Sequence, residues 1–146
     1  MKIETKKRVG KKKHIKKFNI PIYDRDLHVF VCEDIKAGLD AMDVKEFEGE
    51  EDWVEATVVE HDNGYILVII QPNASIGTIC HESLHVTASV LDYAGVKLSN
   101  KSEEAYAYLI GWVAERIEKA VKSYKFVEPI VTNEPNDESN DQPKIS

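Results

Sequence analysis

The chain has 146 residues, enough for one domain with a modest core. Its 42% hydrophobic and 31% charged residues are ordinary for a globular protein, and no apolar run nears the roughly 18 residues that cross a bilayer. The formal net charge of -7 is unevenly spread, with a basic start, an acidic middle and an acidic end.

Residues 1–17, MKIETKKRVGKKKHIKK, carry nine Lys or Arg against Glu4 alone and read as a flexible basic tail. Such a run contacts nucleic acid or another polyanion, or it stays solvated. No aromatic residues interleave the lysines as base stacking favours, and residues 18–127 are net -11, which argues against a nucleic-acid-binding domain. No apolar segment follows the basic run, so no secretory signal is expected. Two cysteines, Cys32 and Cys80, are too few for a disulfide framework and fit a cytoplasmic, reducing compartment.

The predicted folded domain spans residues 18–127. In FNIPIYDRDLHVFVC, Leu27, Val29 and Val31 alternate with His28, Phe30 and Cys32 as in a strand. EDIKAGLDAMDV spaces Ile35, Leu39 and Met42 for a short helix. WVEATVVEHDNGYILVIIQP predicts a hairpin around Asp62-Asn63-Gly64, because Asn-Gly takes the positive φ of a tight turn. Pro72 ends its second strand. That strand, Tyr65–Gln71, is aliphatic enough to be central, yet could be an edge that pairs with an extended substrate.

A long helix is predicted after the capping Ser75, with Gly95 as its left-handed terminator. Ile79, Ser83, Val86 and Val90 share one side, widened by Leu84 and Leu91. A second helix starts near Asn100 or Ser102; Asn100 followed by Glu103 has the pattern of a capping box. Its apolar stripe is Ala105, Leu109, Val113, Ile117, Ala120 and Tyr124. Residues 128–146, with three prolines and many small polar residues, read as a disordered acidic tail. The order of elements is α+β, a small antiparallel sheet followed by two long helices.

The first long helix carries TICHESLHVTASVLDYAG, residues 78–95. His81 and His85 are four apart, so at about 100° per residue they lie only about 40° apart and both rings can face one ion. Glu82 is rotated by about 100° from His81 and flanks that point. Two neutral histidines holding zinc, with the next glutamate as base, is the arrangement of a zinc hydrolase. The plain alternative is two half-buried histidines at a helix–helix contact. The motif arises in roughly 2 of 100 shuffled chains of this composition, so its place inside a capped helix after a strand carries the argument.

Catalytic zinc takes three protein ligands and a water. An extension to a third histidine at position 91 is absent, because Ala88 and Leu91 stand where glycine and histidine would be. Glu103 and Glu104 are the remaining candidates. Cys80 is expected to be a buried small apolar residue, Asp92 a surface group, Trp53 and Trp112 core, and His28 to face solvent or a neighbouring strand.

The stretch SEEAYAYLIGW resembles the Asn-Glu-Ala-like segment of the gluzincin metallopeptidases, the thermolysin-like zincins. In that family a glutamate nineteen or more residues after the second histidine completes the site. Glu104 is nineteen after His85 and precedes Ala105, so the resemblance selects Glu104 and leaves Glu103 as cap partner. The likeness covers residues 65–115 and departs at Tyr108, where the family often has aspartate. No histidine follows His85, so the family's oxyanion histidine has no counterpart; Tyr106, Tyr108, Tyr93 and His61 are the substitutes to consider.

The resemblance implies a minimal, intracellular zincin of the kind found among small phage or prophage proteins. It implies one zinc ion on His81, His85 and Glu104, Glu82 as general base on zinc-bound water, and a peptide or protein substrate. Two other readings stand beside it. One is a non-catalytic, zinc-stabilised structural or interaction protein, such as a phage assembly component, against which the intact Glu82 argues. The other is a polyanion-binding protein led by the lysine-rich start.

Overall fold

The computed structural model describes residues 14–45 and 54–126. The basic residues 1–13, the acidic end 127–146 and Trp53 lie outside the described residues. Strand β1 (His14–Ile20) reverses at Pro21–Asp24 into β2 (Arg25–Val31). Ile22 and Asp24 take positive φ, 71° and 52°, to make that reversal. The two strands pair antiparallel from His14–Val31 to Ile20–Arg25. Strand β1 thus includes residues 14–17, which the sequence alone assigns to the basic tail. Ile15 and Phe18 give β1 an apolar contact on each sheet face, while an edge strand accommodates Lys16 and Lys17.

Helix α1 (Ile35–Ala41) comes next, with Asp34 accepting from the Ala37 N–H as its cap (3.2 Å). Ile35 and Leu39 are buried, as their spacing predicts. Strands β3 (Ala56–Glu60) and β4 (Ile66–Ile70) form the expected hairpin. Gly64 supplies φ of 98° at its turn, which a side chain would oppose.

The strand order is β1-β2-β4-β3. The sheet is mixed, not antiparallel throughout, because β4 runs parallel to β2. The chain between β2 and the hairpin includes α1, long enough to carry β4 back in the same direction. Strand β4 is central and all five of its residues are buried. Among the described residues β1 and β3 are the edges, so the edge role considered for Tyr65–Gln71 falls to its hairpin partner β3.

Helix α2 (Ile76–Tyr93) starts at Ser75, whose hydroxyl accepts from the Thr78 N–H (3.1 Å). It ends in a Schellman motif: Val96 N–H donates to Leu91 O (2.8 Å) and Gly95 N–H to Asp92 O (2.9 Å), with Gly95 at φ 80°. Helix α3 (Glu103–Phe126) begins two residues later than an Asn100 cap would place it. The Ser102 carbonyl accepts from Tyr106 N–H, so Ser102 holds the cap position and the Asn100–Glu103 box does not form. The Ser102 hydroxyl instead ties the loop, donating to Lys97 O and accepting from Ser99 N–H (2.9 Å).

The sheet separates two apolar clusters. Leu27, Val29, Val31, Ile66, Val68 and Ile70 meet the buried sides of α2 and α3. On the opposite face Phe30, Leu67 and Ile69 meet α1. Trp112 joins the larger cluster, edge-on to Phe18 at 6.4 Å. The architecture is α+β, three helices and a four-stranded sheet among the described residues. No helix among them is long and apolar enough to cross a membrane.

Candidate metal centre

The site is built by α2 and the edge strand beside it. On α2 the side chains one to two turns apart, from Thr78 to Ser89, turn away from the core formed by Ile79, Val86 and Val90. They face β3 across an open groove of about 890 Å³. His81, Glu82 and His85 all line it.

The two rings converge. His81 Nε2 and His85 Nε2 are 3.2 Å apart, with ring centroids 4.9 Å apart at 67°. One nitrogen can donate to the other across this distance. It is also the separation of two ligands on one ion, since two nitrogens about 2.0–2.1 Å from a tetrahedral zinc stand about 3.3 Å apart. Both histidines are solvent-exposed, so neither is the half-buried helix-contact histidine of the plain alternative.

Glu82 differs from both. It is 7% exposed and, among the described residues, no hydrogen bond holds its carboxylate. Burial raises its pKa above the usual carboxylate range, opposed by the nearby His81 and His85. A desolvated, unpartnered carboxylate beside two imidazoles is the expected setting of a proton acceptor.

Glu104 is exposed in the first turn of α3 and does not line the groove; Glu103 is likewise exposed. Among the described residues no group of three or more His, Cys, Asp or Glu is arranged to hold a metal ion. The structure thus brings His81, His85 and Glu82 together and leaves Glu104 apart from them. The residues present fit two of the three positions that a catalytic zinc requires.

The four groups considered for stabilising an oxyanion lie elsewhere. Tyr106 donates to Val96 O (3.3 Å), Tyr93 lies under Arg25, Tyr108 is 78% exposed, and His61 is tied to Met42 O (2.8 Å). None lines the groove. Cys80 is exposed instead of buried, and Leu84 is 45% exposed, because both fall on a side of α2 that the core does not cover. Asp92 is on the surface as expected, and His28 stacks on Tyr65 of the neighbouring segment at 3.8 Å.

Sequence reasoning missed Glu55 and Glu60. The Thr78 hydroxyl donates to Glu55 Oε1 (2.7 Å), and the Ser75 N–H reaches the same oxygen (3.4 Å). The Ser89 hydroxyl donates to Glu60 Oε2, while Glu60 Oε1 pairs with Arg25 Nη2 (3.6 Å). Thr78 and Ser89 share the histidine side of α2 by helical spacing, a signal that was present; their partners required the sheet order. Comparison with known protein families, curated proteins and solved structures finds no match.

Proposed function

We propose that this chain is a zinc-dependent peptide-bond hydrolase. The observation that carries the reading is the convergence of His81 Nε2 and His85 Nε2 to 3.2 Å beside the buried, unpartnered Glu82. His81 and His85 would hold the ion. Glu104, which stands outside the groove in this structure, is our proposed third ligand on its nineteen-residue spacing from His85 and the Glu-Ala pair. When bound, zinc supplies a Lewis acid that polarises the scissile carbonyl and acidifies the attacking water.

Glu82 then has one task with two halves. Its carboxylate accepts the proton of the attacking water and delivers it to the leaving amine. The raised pKa favours the first half, because a carboxylate pushed above its usual range takes up a proton more readily. Strand β3, unpaired on its outer side among the described residues, offers backbone groups to an extended peptide. Both cysteines are unpaired, which supports a reducing, cytoplasmic setting.

Glu82→Gln tests the reading. The amide keeps the size but cannot accept the proton, so hydrolysis across a broad peptide library should fall by roughly 10²–10⁴-fold. Zinc content, measured on the same preparation, should stay that of the parent. An active Glu82→Gln protein overturns the mechanism. A zinc-loaded parent that cleaves nothing favours the non-catalytic scaffold.

A further inference from the structure

The groove has two ends, and a carboxylate stands at each. Glu60 ends the edge strand β3 and Glu55 immediately precedes it, five residues or about 16 Å apart at strand rise. Their partners Thr78 and Ser89 are eleven residues apart on α2, also about 16 Å at helical rise. The two hydrogen-bonded latches therefore hold strand and helix alongside each other, running in the same direction. His81 and His85 lie between, their midpoint about 8 Å from either latch along the helix.

The ends are electrostatically unequal. Glu60 is engaged through both oxygens, and Arg25, only 11% exposed and stacked over Tyr93 at 4.7 Å, offsets its charge. Glu55 accepts through Oε1 alone, from two neutral donors, and no cation pairs with it among the described residues. Among the described residues no Lys or Arg lines the groove, whereas three carboxylates do. The third is Glu82, over nine-tenths buried, unpartnered and facing the groove, a polar group that a ligand has yet to meet.

We infer that the groove takes an extended cationic peptide, selecting a Lys or Arg side chain at the Glu55 end. The distance sets the position. About 8 Å is between two and three extended residues, so the basic side chain stands two residues from the bond that faces the histidines. Cleavage of that bond rests on the proposed hydrolase reading; the charge selection does not.

The test measures binding and turnover separately. Full-length, zinc-supplied Glu82→Gln protein is titrated with labelled alanine octapeptides in which one Lys, Gln or Glu is moved through every position. At one position Lys should bind about 5-fold tighter than Gln, with Glu weakest, and salt of about 0.5 M should erase the difference. Adding Glu55→Gln should level it, while Glu60→Gln should not. Gln at 55 retains an acceptor for the Thr78 hydroxyl, and a thermal melt checks the fold; should that variant unfold, the Lys-over-Glu order and its salt dependence still decide. Equal affinity for Lys and Glu peptides, a preference that survives Glu55→Gln, or no binding at all overturns the inference. The parent protein is then given the same peptides. Charge-selective binding without cleavage overturns the hydrolase and keeps the ligand class; cleavage without charge selection does the reverse.

Discussion

Cys32 sits between β2 and α1, its thiol donating to Asp34 O (3.4 Å), and burial pushes its pKa up to about 11. At pH 8 about one such thiol in a thousand is ionised. Cys80, next to His81, is exposed. A thiol reagent at about pH 8 should thus titrate one cysteine in the native protein at once and the second only after unfolding. The Cys80→Ser variant should lose the fast phase; a fast phase that remains would place Cys32 in solvent. Glu103 and Glu104 invite a paired test at the same scale. Glu104→Ala should lower zinc affinity far more than Glu103→Ala, read as the zinc-induced rise in melting temperature. With no capping contact drawn from Glu103, its removal should leave that rise intact. Equal losses would mean that Glu104 is not the third ligand.

Helix α1 rests on the sheet through a glycine. A Cβ on Gly38 would lie 2.6 Å from Cys32 Sγ and 3.0 Å from Ile69 Cγ2, the latter inside the central strand. Alanine gains up to about 1 kcal/mol of helix propensity, against about 1–3 kcal/mol for forcing a methyl into a packed contact. Gly38→Ala should therefore destabilise, seen as a lower urea midpoint with unchanged slope. A raised midpoint would show that Cys32 turns aside freely. By contrast α2 is held at both ends by its own sequence, Ser75 before it and Gly95 after it, and along its length by Glu55 and Glu60. That gives the histidine pair a rigid support, as the proposed metal site requires.

For the molecule as a whole, acid should loosen the sheet before it reaches the carboxylates. His14 stacks on Tyr124 (5.3 Å), and His28 on Tyr65 (3.8 Å). Burial lowers both pKa values; Lys16 adds to this at His14 and Lys17 at His28, against the Ala120 backbone contact and Asp26 respectively. The unfolded chain, titrating near about 6.5, then binds more protons than the folded one as the pH falls. Stability is complete above the unfolded pKa and declines through the folded values. Denaturant melts from pH 7.5 to about 5 should show that decline, and His28→Gln should flatten it. A parent curve level across this range would mean that both histidines protonate without cost.

Much of the fold and half of the site were legible in the residues themselves. The Asn-Gly turn, the Ser75 cap, the Gly95 terminator and the stripes of both long helices are local matters, governed by φ preference, capping and period, and they appear where the pattern puts them. The pairing of His81 with His85 is local too, because a helix places residues four apart on one face. Features set by pairing between distant segments were not legible. β-branched alternation says that a segment is a strand but not which strand lies beside it, so the parallel β2–β4 contact, the edge position of β3 and the burial of β4 were decided only by the tertiary structure. The same holds for Glu55 and Glu60, whose sequence context marks them only as strand-end acids; they belong to the groove because β3 lies beside α2. Residue type for Cys80 and helix period for Leu84 also left both as buried, since whether a neighbour covers that side of α2 is a property of the packed chain.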